Sequence, residues 1–260
     1  MRTALTRTIE QEIIPRLMLV QRATEGQSHQ PADKNVEVSF SYEDVEAFCG
    51  AIVRQPLPAA RDYIDSLISK GMSTEDVIKT VLSSAARHLG LLWDSDRLSF
   101  VDVTVGLSRI QQLLRTYSPA FRSGSVAKGA GHRVLLAMVP GDQHTFGLSV
   151  VEEYFAQAGW DVETVTSSTK ALIVDRVHTG WFDVVGLSAS GESSRDDVAA
   201  LIALIRDASM NQQIYIVLGG FAVVSNPRLA IELGADSGAC DAQEALTTLA
   251  RERTAAQIAV

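Results

Sequence analysis

From residue 132 onward the chain alternates short apolar runs with amphipathic stretches, and few folds accommodate that alternation. The runs are Val134–Val139, Asp161–Val165, Val184–Ser188, Ile214–Leu218 and, more weakly, Asp236–Ala239. Stretches with helical period, such as Leu148–Ala158 and Asp197–Ala208, lie between them. Strand and helix in turn predict a five-stranded parallel sheet with right-handed crossovers, a flavodoxin-like (Rossmann-like) α/β domain over residues 132–255. Ligands of such sheets bind outside the C-terminal ends of the strands.

The preceding residues carry helical signals only. Leu5, Ile9, Ile13 and Leu17 give residues 1–22 one apolar helical face, kinked or restarted at Pro15. A polar, Pro/Gly-containing stretch to about residue 40 is expected to be mobile. Residues 41–122 predict a four-helix antiparallel cap bundle. Its helices start at Ser41, at Pro56 and Pro58, at the capping-box-like Ser73-Thr74-Glu75-Asp76, and at Ser99. Ser118-Pro119 and the Gly/Ser-rich residues 123–131 predict a linker, the clearest boundary in the chain.

Composition narrows the classes. The chain is 46% hydrophobic and 21% charged, the balance of a soluble globular protein. No apolar run approaches the roughly 20 residues that span a bilayer, and the N-terminus lacks a signal-peptide pattern, so a cytoplasmic protein away from membranes is expected. Residues 1–131 hold 15 Lys+Arg and 15 Asp+Glu, whereas residues 132–260 hold 8 and 16 and so carry the whole net charge of −8. Such an acidic half is a poor surface for direct DNA binding; an effect on DNA would pass through a protein partner. Cys49 and Cys240 form no metal-binding pair and are expected to be small buried side chains. Glu152-Glu153 and Asp196-Asp197 read as solvated helix faces, and no nucleophile–base pair or phosphate loop suggests independent catalysis.

Three strand ends carry unusual residues. The first run leads into Gly141-Asp142-Gln143-His144-Thr145-Phe146-Gly147. An imidazole at the mouth of a sheet is a good ligand for a transition metal, and Asp142 can fix its tautomer. Gly147 lets a bulky ligand pass where a Cβ would stand. On this loop alone, Asp142 as an ordinary helix N-cap and His144 as a solvated loop residue is the favoured reading. The third run ends in Ser188-Ala189-Ser190-Gly191, which supplies two hydroxyls or simply caps a turn. The fourth ends in Gly219-Gly220-Phe221, which permits close ligand passage or merely a tight turn. All three fall on one edge of one sheet.

In this order the motifs resemble the D-x-H-x-x-G … S-x-L … G-G pattern of cobalamin-binding domains, over residues 132–250. The resemblance implies His144 as the lower cobalt ligand in a base-off/His-on arrangement, with Asp142 orienting it. It implies that Gly147, Ser188, Gly219 and Gly220 line a tunnel for the nucleotide tail. Gln143, Thr145, Phe146, Ser190 and Phe221 complete the expected cofactor contacts. Ser190 stands where the pattern has Leu. A haem-binding offshoot of this domain is the other cofactor reading. Leu89 to Phe100 resembles the cap of cobalamin-dependent photoreceptor regulators and corrinoid methyl carriers, implying that Trp93 covers the upper corrin face. Val103-Thr104 replaces the Glu-His of the adenosylcobalamin photoreceptors, which favours hydroxide or water as upper ligand. The whole chain resembles the AerR/PpaA group of antirepressors, implying a light- or redox-responsive regulator of a CrtJ/PpsR-type transcription factor for photosynthesis genes. A corrinoid methyl carrier is the enzyme-side alternative. His88, in phase with Val81, Ala85 and Leu92, faces inward; a hydrogen-bonded place in the bundle is its commoner fate and an upper-ligand role the alternative.

Overall fold

The computed structural model describes residues 40–123, 131–142, 144–166, 169–191 and 193–258. The expected N-terminal helix, most of the linker and Gln143 lie outside the described residues. Four helical segments come first: α1 (Tyr42–Arg54), α2 (Leu57–Ser69), α3 and α4 (Phe100–Ser123). The third, α3, runs from Thr74–Asp76 through a π-helical stretch, Val77–Leu82, into Ser83–Asp94. Local chemistry sets their starts. Ser41 and Asp44 form a reciprocal capping box, and Ser99 and Asp102 exchange the same pair of bonds. The Arg109 guanidinium donates to the carbonyls of Ile52, Val53 and Gln55, closing the C-terminal end of α1 against α4. Phe48, Ile52, Ile64, Ile78, Leu82, Leu89 and Ile110 fill the bundle centre with full burial. Each such side chain contributes about 1.5–3 kcal/mol.

Helix α4 corrects the expectation that the linker opens at Ser118-Pro119, because it continues through Pro119 to Ser123. The missing N–H costs one helical bond. Burial of Tyr117 and Phe121 on either side offsets that loss, and Phe121 meets Tyr154 edge-on at 5.0 Å.

The second half alternates β1 (Arg133–Met138), α5 (Thr145–Gln157), β2 (Asp161–Val165), α6 (Lys170–Thr179), β3 (Val184–Ser188), α7 (Arg195–Ala208) and β4 (Tyr215–Gly219). Short helices α8 (Phe221–Ser225) and α9 (Leu229–Glu232), then β5 (Ser237–Ala239) and α10 (Ala242–Ile258), complete it. The sheet is wholly parallel in the order β2-β1-β3-β4-β5. Side-chain alternation separates two faces. Leu135, Ala137, Val185, Leu187, Ile216 and Leu218 pack on α6 and α7, whereas Val134, Leu136, Met138, Val184 and Val217 pack under α5 and α10. Tyr154 of α5 and Ala242 of α10 also belong to the bundle core, so bundle and sheet share packing through these two helices. Among the described residues no helix is long and apolar enough to cross a membrane.

Two further expectations change, for Glu153 and Cys240, whereas His88 keeps its expected inward place. Glu153 is buried and ion-paired with Arg122 at 2.7 Å rather than solvated, because α4 lies along α5. Cys240 is exposed just beyond β5, while Cys49 is buried, its thiol pushed up to about 12 first by desolvation and then by Glu46. His88 is buried in the bundle, with the Tyr42 ring edge-on at 5.4 Å.

Candidate functional site

With β1 central and β2 on its far side, the chain reverses direction between β1 and β3, and the crevice for ligands opens there. The loops leaving these strands meet through Asp142. One carboxylate oxygen, Oδ1, accepts the His144 backbone N–H at 3.0 Å and faces the ring Nδ1 at 2.9 Å. The other, Oδ2, accepts the backbone N–H of Ser190 at 2.5 Å. Burial alone pushes the Asp142 carboxyl up, but the bonds from His144 and Ser190 together outweigh it and hold the group below the ordinary carboxylate value. The Asp142 side chain is 2% exposed, whereas that of His144 is 67% exposed. An aspartate taking up Nδ1 leaves Nε2 as the outward nitrogen, the arrangement of an imidazole prepared for a metal.

The β3 and β4 loops are laced in turn. Ala189 donates its N–H to the Gly219 carbonyl at 2.9 Å and accepts from Ala222 at 3.1 Å. Gly220 has φ +94°, and a Cβ there would lie 2.4 Å from the Ala189 carbonyl oxygen. The protein's own backbone therefore demands this glycine, whatever else passes nearby. Ser193 Oγ, donating to the Pro140 carbonyl at 2.8 Å, ties the β1 and β3 loops a second time.

Strand register places Met138, Ser188, Gly219 and Ala239 in one row across β1, β3, β4 and β5. Small side chains in three of those four places lower the floor under α5 and α10. Ser188, Gly219 and, one step further in, Gly186 stay half-buried despite lying in central strands. Sequence reasoning missed Gly186; a glycine inside an apolar strand run is the signal that marks such close approach.

The other expected residues take varied places. Thr145 and Phe146 open α5, half-buried, and a Cβ on the exposed Gly147 would meet nothing within 4 Å. Ser190 Oγ is buried and makes no well-formed hydrogen bond, although it lies near enough to Asp142 to favour the carboxylate. Phe221, 70% exposed, stands on the rim past β4. These features suit a corrinoid: an outward ring nitrogen, a buried hydroxyl without a well-formed bond, open space over Gly147 and a row of small residues. A cavity of about 230 Å³ lies on the opposite sheet face between Ala189, Leu218 and Leu229, and its cation, Arg195, is paired with Glu232.

The bundle reaches the same edge. Helices α4 and α5 run side by side in one direction, joined from Gln111 to Thr145, from Arg122 to Glu153, and from Gln157 to the Phe121 carbonyl. Since Gln111 meets the first residue of α5, the part of α4 from Phe100 to Gln111 extends roughly 16 Å past it, beyond the strand ends. At that far end Trp93 meets Phe100 with ring centroids 6.1 Å apart; the two are 45% and 69% exposed. Trp93 is thus a rim aromatic and no part of the bundle core.

Residues 132–250 match the family of the B12 binding domain. The class is therefore a helical region followed by a five-stranded, all-parallel α/β B12-binding domain. Among individual proteins, the chain is 28% identical over 172 residues to the "Uncharacterized 20.5 kDa protein in bchF-crtJ intergenic region" of Rhodobacter capsulatus, covering 66% of this chain and 89% of that one. It is 22% identical over 190 residues to "Dimethylamine corrinoid protein 2" of Methanosarcina acetivorans, covering 72% and 87%. The solved structure of the Methanosarcina barkeri monomethylamine corrinoid protein shares the fold, with TM-score 0.66, 17% identity and coverage of 80% of this chain and 98% of that one.

Proposed function

We propose that this protein binds cobalamin with His144 as the lower axial ligand and acts in the cytoplasm as an antirepressor of a CrtJ/PpsR-type transcription factor, without catalysis of its own. The observation that carries the ligand assignment is the Asp142–His144 pair, which occupies Nδ1 and turns Nε2 outward. Bound cobalamin would supply a cobalt centre with an exchangeable upper ligand, hydroxide or water being favoured by Val103-Thr104. The chain's residues would do the rest. Asp142 would hold the ring tautomer, the Ser188–Gly219 row would receive the nucleotide tail, and Trp93 with its α4 neighbours would stand over the upper face. The regulatory part rests on the AerR/PpaA resemblance and on the relative whose name places it beside crtJ. A ligand drives such a switch only by binding two conformations with different affinity.

A corrinoid methyl carrier is the second reading, supported by the 22% identical dimethylamine corrinoid protein. Visible spectra of the protein with hydroxocobalamin, dark and illuminated, test the first. Binding by the wild type with a changed spectrum in His144→Ala is expected, together with cobalamin-dependent release of a CrtJ/PpsR-type repressor from its DNA. An unchanged spectrum in the variant refutes His144 ligation. Methyl transfer from methylcobalamin to a thiol acceptor, with no effect on the repressor, decides for the carrier.

A further inference from the structure

We infer that Gln111, on the bundle helix α4, is a positioning residue that sets the His144 loop through Thr145; the inference rests on the proposed ligation by His144. Its Nε2 donates to Thr145 Oγ at 3.0 Å in a half-buried setting, and Thr145 is the first residue of α5, directly after His144. Among the described residues this is the side-chain hydrogen bond that ties the first turn of α5 to the bundle, beside the packing of Phe146 on the bundle core. His144 occupies the N-cap position of α5 with φ −83° and ψ 65° and makes no side-chain capping bond. Helices that begin without a cap fray at the first turn, where the free N–H groups lie. The loop is therefore held from two sides, from the sheet through Asp142 and the Ser193–Pro140 bond and from the bundle through Gln111.

The stripe that contains Gln111 makes the tie directional. Phe100, Thr104, Leu107 and Gln111 recur at helical spacing along α4, so the face that grips Thr145 continues to the aromatic end beside Trp93. Further along, Arg122 holds Glu153 with two bonds and α5 cannot slide against α4 as a whole. A shift at the Trp93 end of α4 would then reach the ligand loop as a rotation or loosening around Gln111. By linkage, ligation at His144 would tighten the same bond.

The test compares Gln111→Met, Thr145→Val, the double variant and Gln111→Glu, all as full chains with hydroxocobalamin. Read from the visible spectrum, the ratio of His-ligated to His-free corrinoid should fall roughly three- to tenfold in either single variant, the range for one neutral hydrogen bond. The double variant should fall no further than the singles. Gln111→Glu should retain the wild-type ratio, because its carboxylate can accept the Thr145 hydroxyl. Thermal unfolding of the cofactor-free variants separates this from a general loss of fold. A wild-type ratio in Gln111→Met, while His144→Ala changes the spectrum, overturns the inference and leaves the ligation intact. An unchanged spectrum in His144→Ala removes both.

Discussion

Asp142 and Ser190 lie 48 residues apart, yet one carboxylate oxygen and one backbone N–H join them at 2.5 Å across the switch point of the sheet. The same carboxylate holds His144 through its other oxygen, so the ligand loop and the β3 loop share a single anchor. Asp142→Asn keeps one accepting oxygen and turns an N–H donor toward the second partner. Cobalamin affinity should fall about 10- to 100-fold, as for other residues that orient a metal-binding imidazole. Equilibrium titration of hydroxocobalamin checks this. Unaltered affinity would mean that the ring is oriented by something else.

Two glycines near the site should respond oppositely. At Gly220 an alanine places its Cβ 2.4 Å from the Ala189 carbonyl oxygen and forces a side chain onto φ +94°, so the β3 and β4 loops must separate. Gly220→Ala should lose at least about 1–3 kcal/mol of stability by chemical denaturation. At Gly147 the added methyl meets no protein atom within 4 Å. Gly147→Ala should unfold like the wild type and lose only cobalamin affinity. A stable Gly220→Ala, or a Gly147→Ala that binds normally, contradicts the assignment of these two positions.

Strand placement was readable because each apolar run is closed by turn residues: β2 and β3 fall at Asp161–Val165 and Val184–Ser188, and β4 is displaced by a single residue. The strand-end residues were readable for the same reason, since topology alone brings the ends of parallel strands together. Partners distant in sequence were not. Glu153 looks like any surface acid until Arg122, 31 residues earlier, is brought beside it. Pro119 reads as a helix breaker, and only the burial of Tyr117 and Phe121 shows why the helix runs on. The π-helical stretch at Val77–Leu82 and the tie from Gln111 to Thr145 have no local signature, because both are settled by packing between elements.

The Arg122–Glu153 pair joins bundle to sheet domain asymmetrically. The Glu153 side chain is 9% exposed and that of Arg122 is 45% exposed. Removing the arginine strands a buried carboxylate, whereas neutralising the glutamate frees an arginine that water can still reach. Arg122→Met should therefore cost more than Glu153→Gln, about 1–3 kcal/mol against about 1 kcal/mol or less, since the half-exposed partner is already screened. Denaturant melts of the two variants give the comparison, and equal losses would place the pair in a more solvated setting.

His88 gives the bundle an acid-sensitive point. Burial is the main cause holding its imidazole below the ordinary 6.5; Arg97 adds to that effect and Glu46 opposes it. The folded state thus favours the neutral ring more than the unfolded chain does. Its contribution to stability is complete above pH 6.5 and is lost as pH falls through the depressed value, because the unfolded state takes up the proton first. In denaturant melts at several pH values, His88→Gln should show a flatter decline than the wild type on the acid side of 6.5 and a parallel curve above it. A titration of His88 by nuclear magnetic resonance at or above 6.5 would reverse the sign and remove the effect.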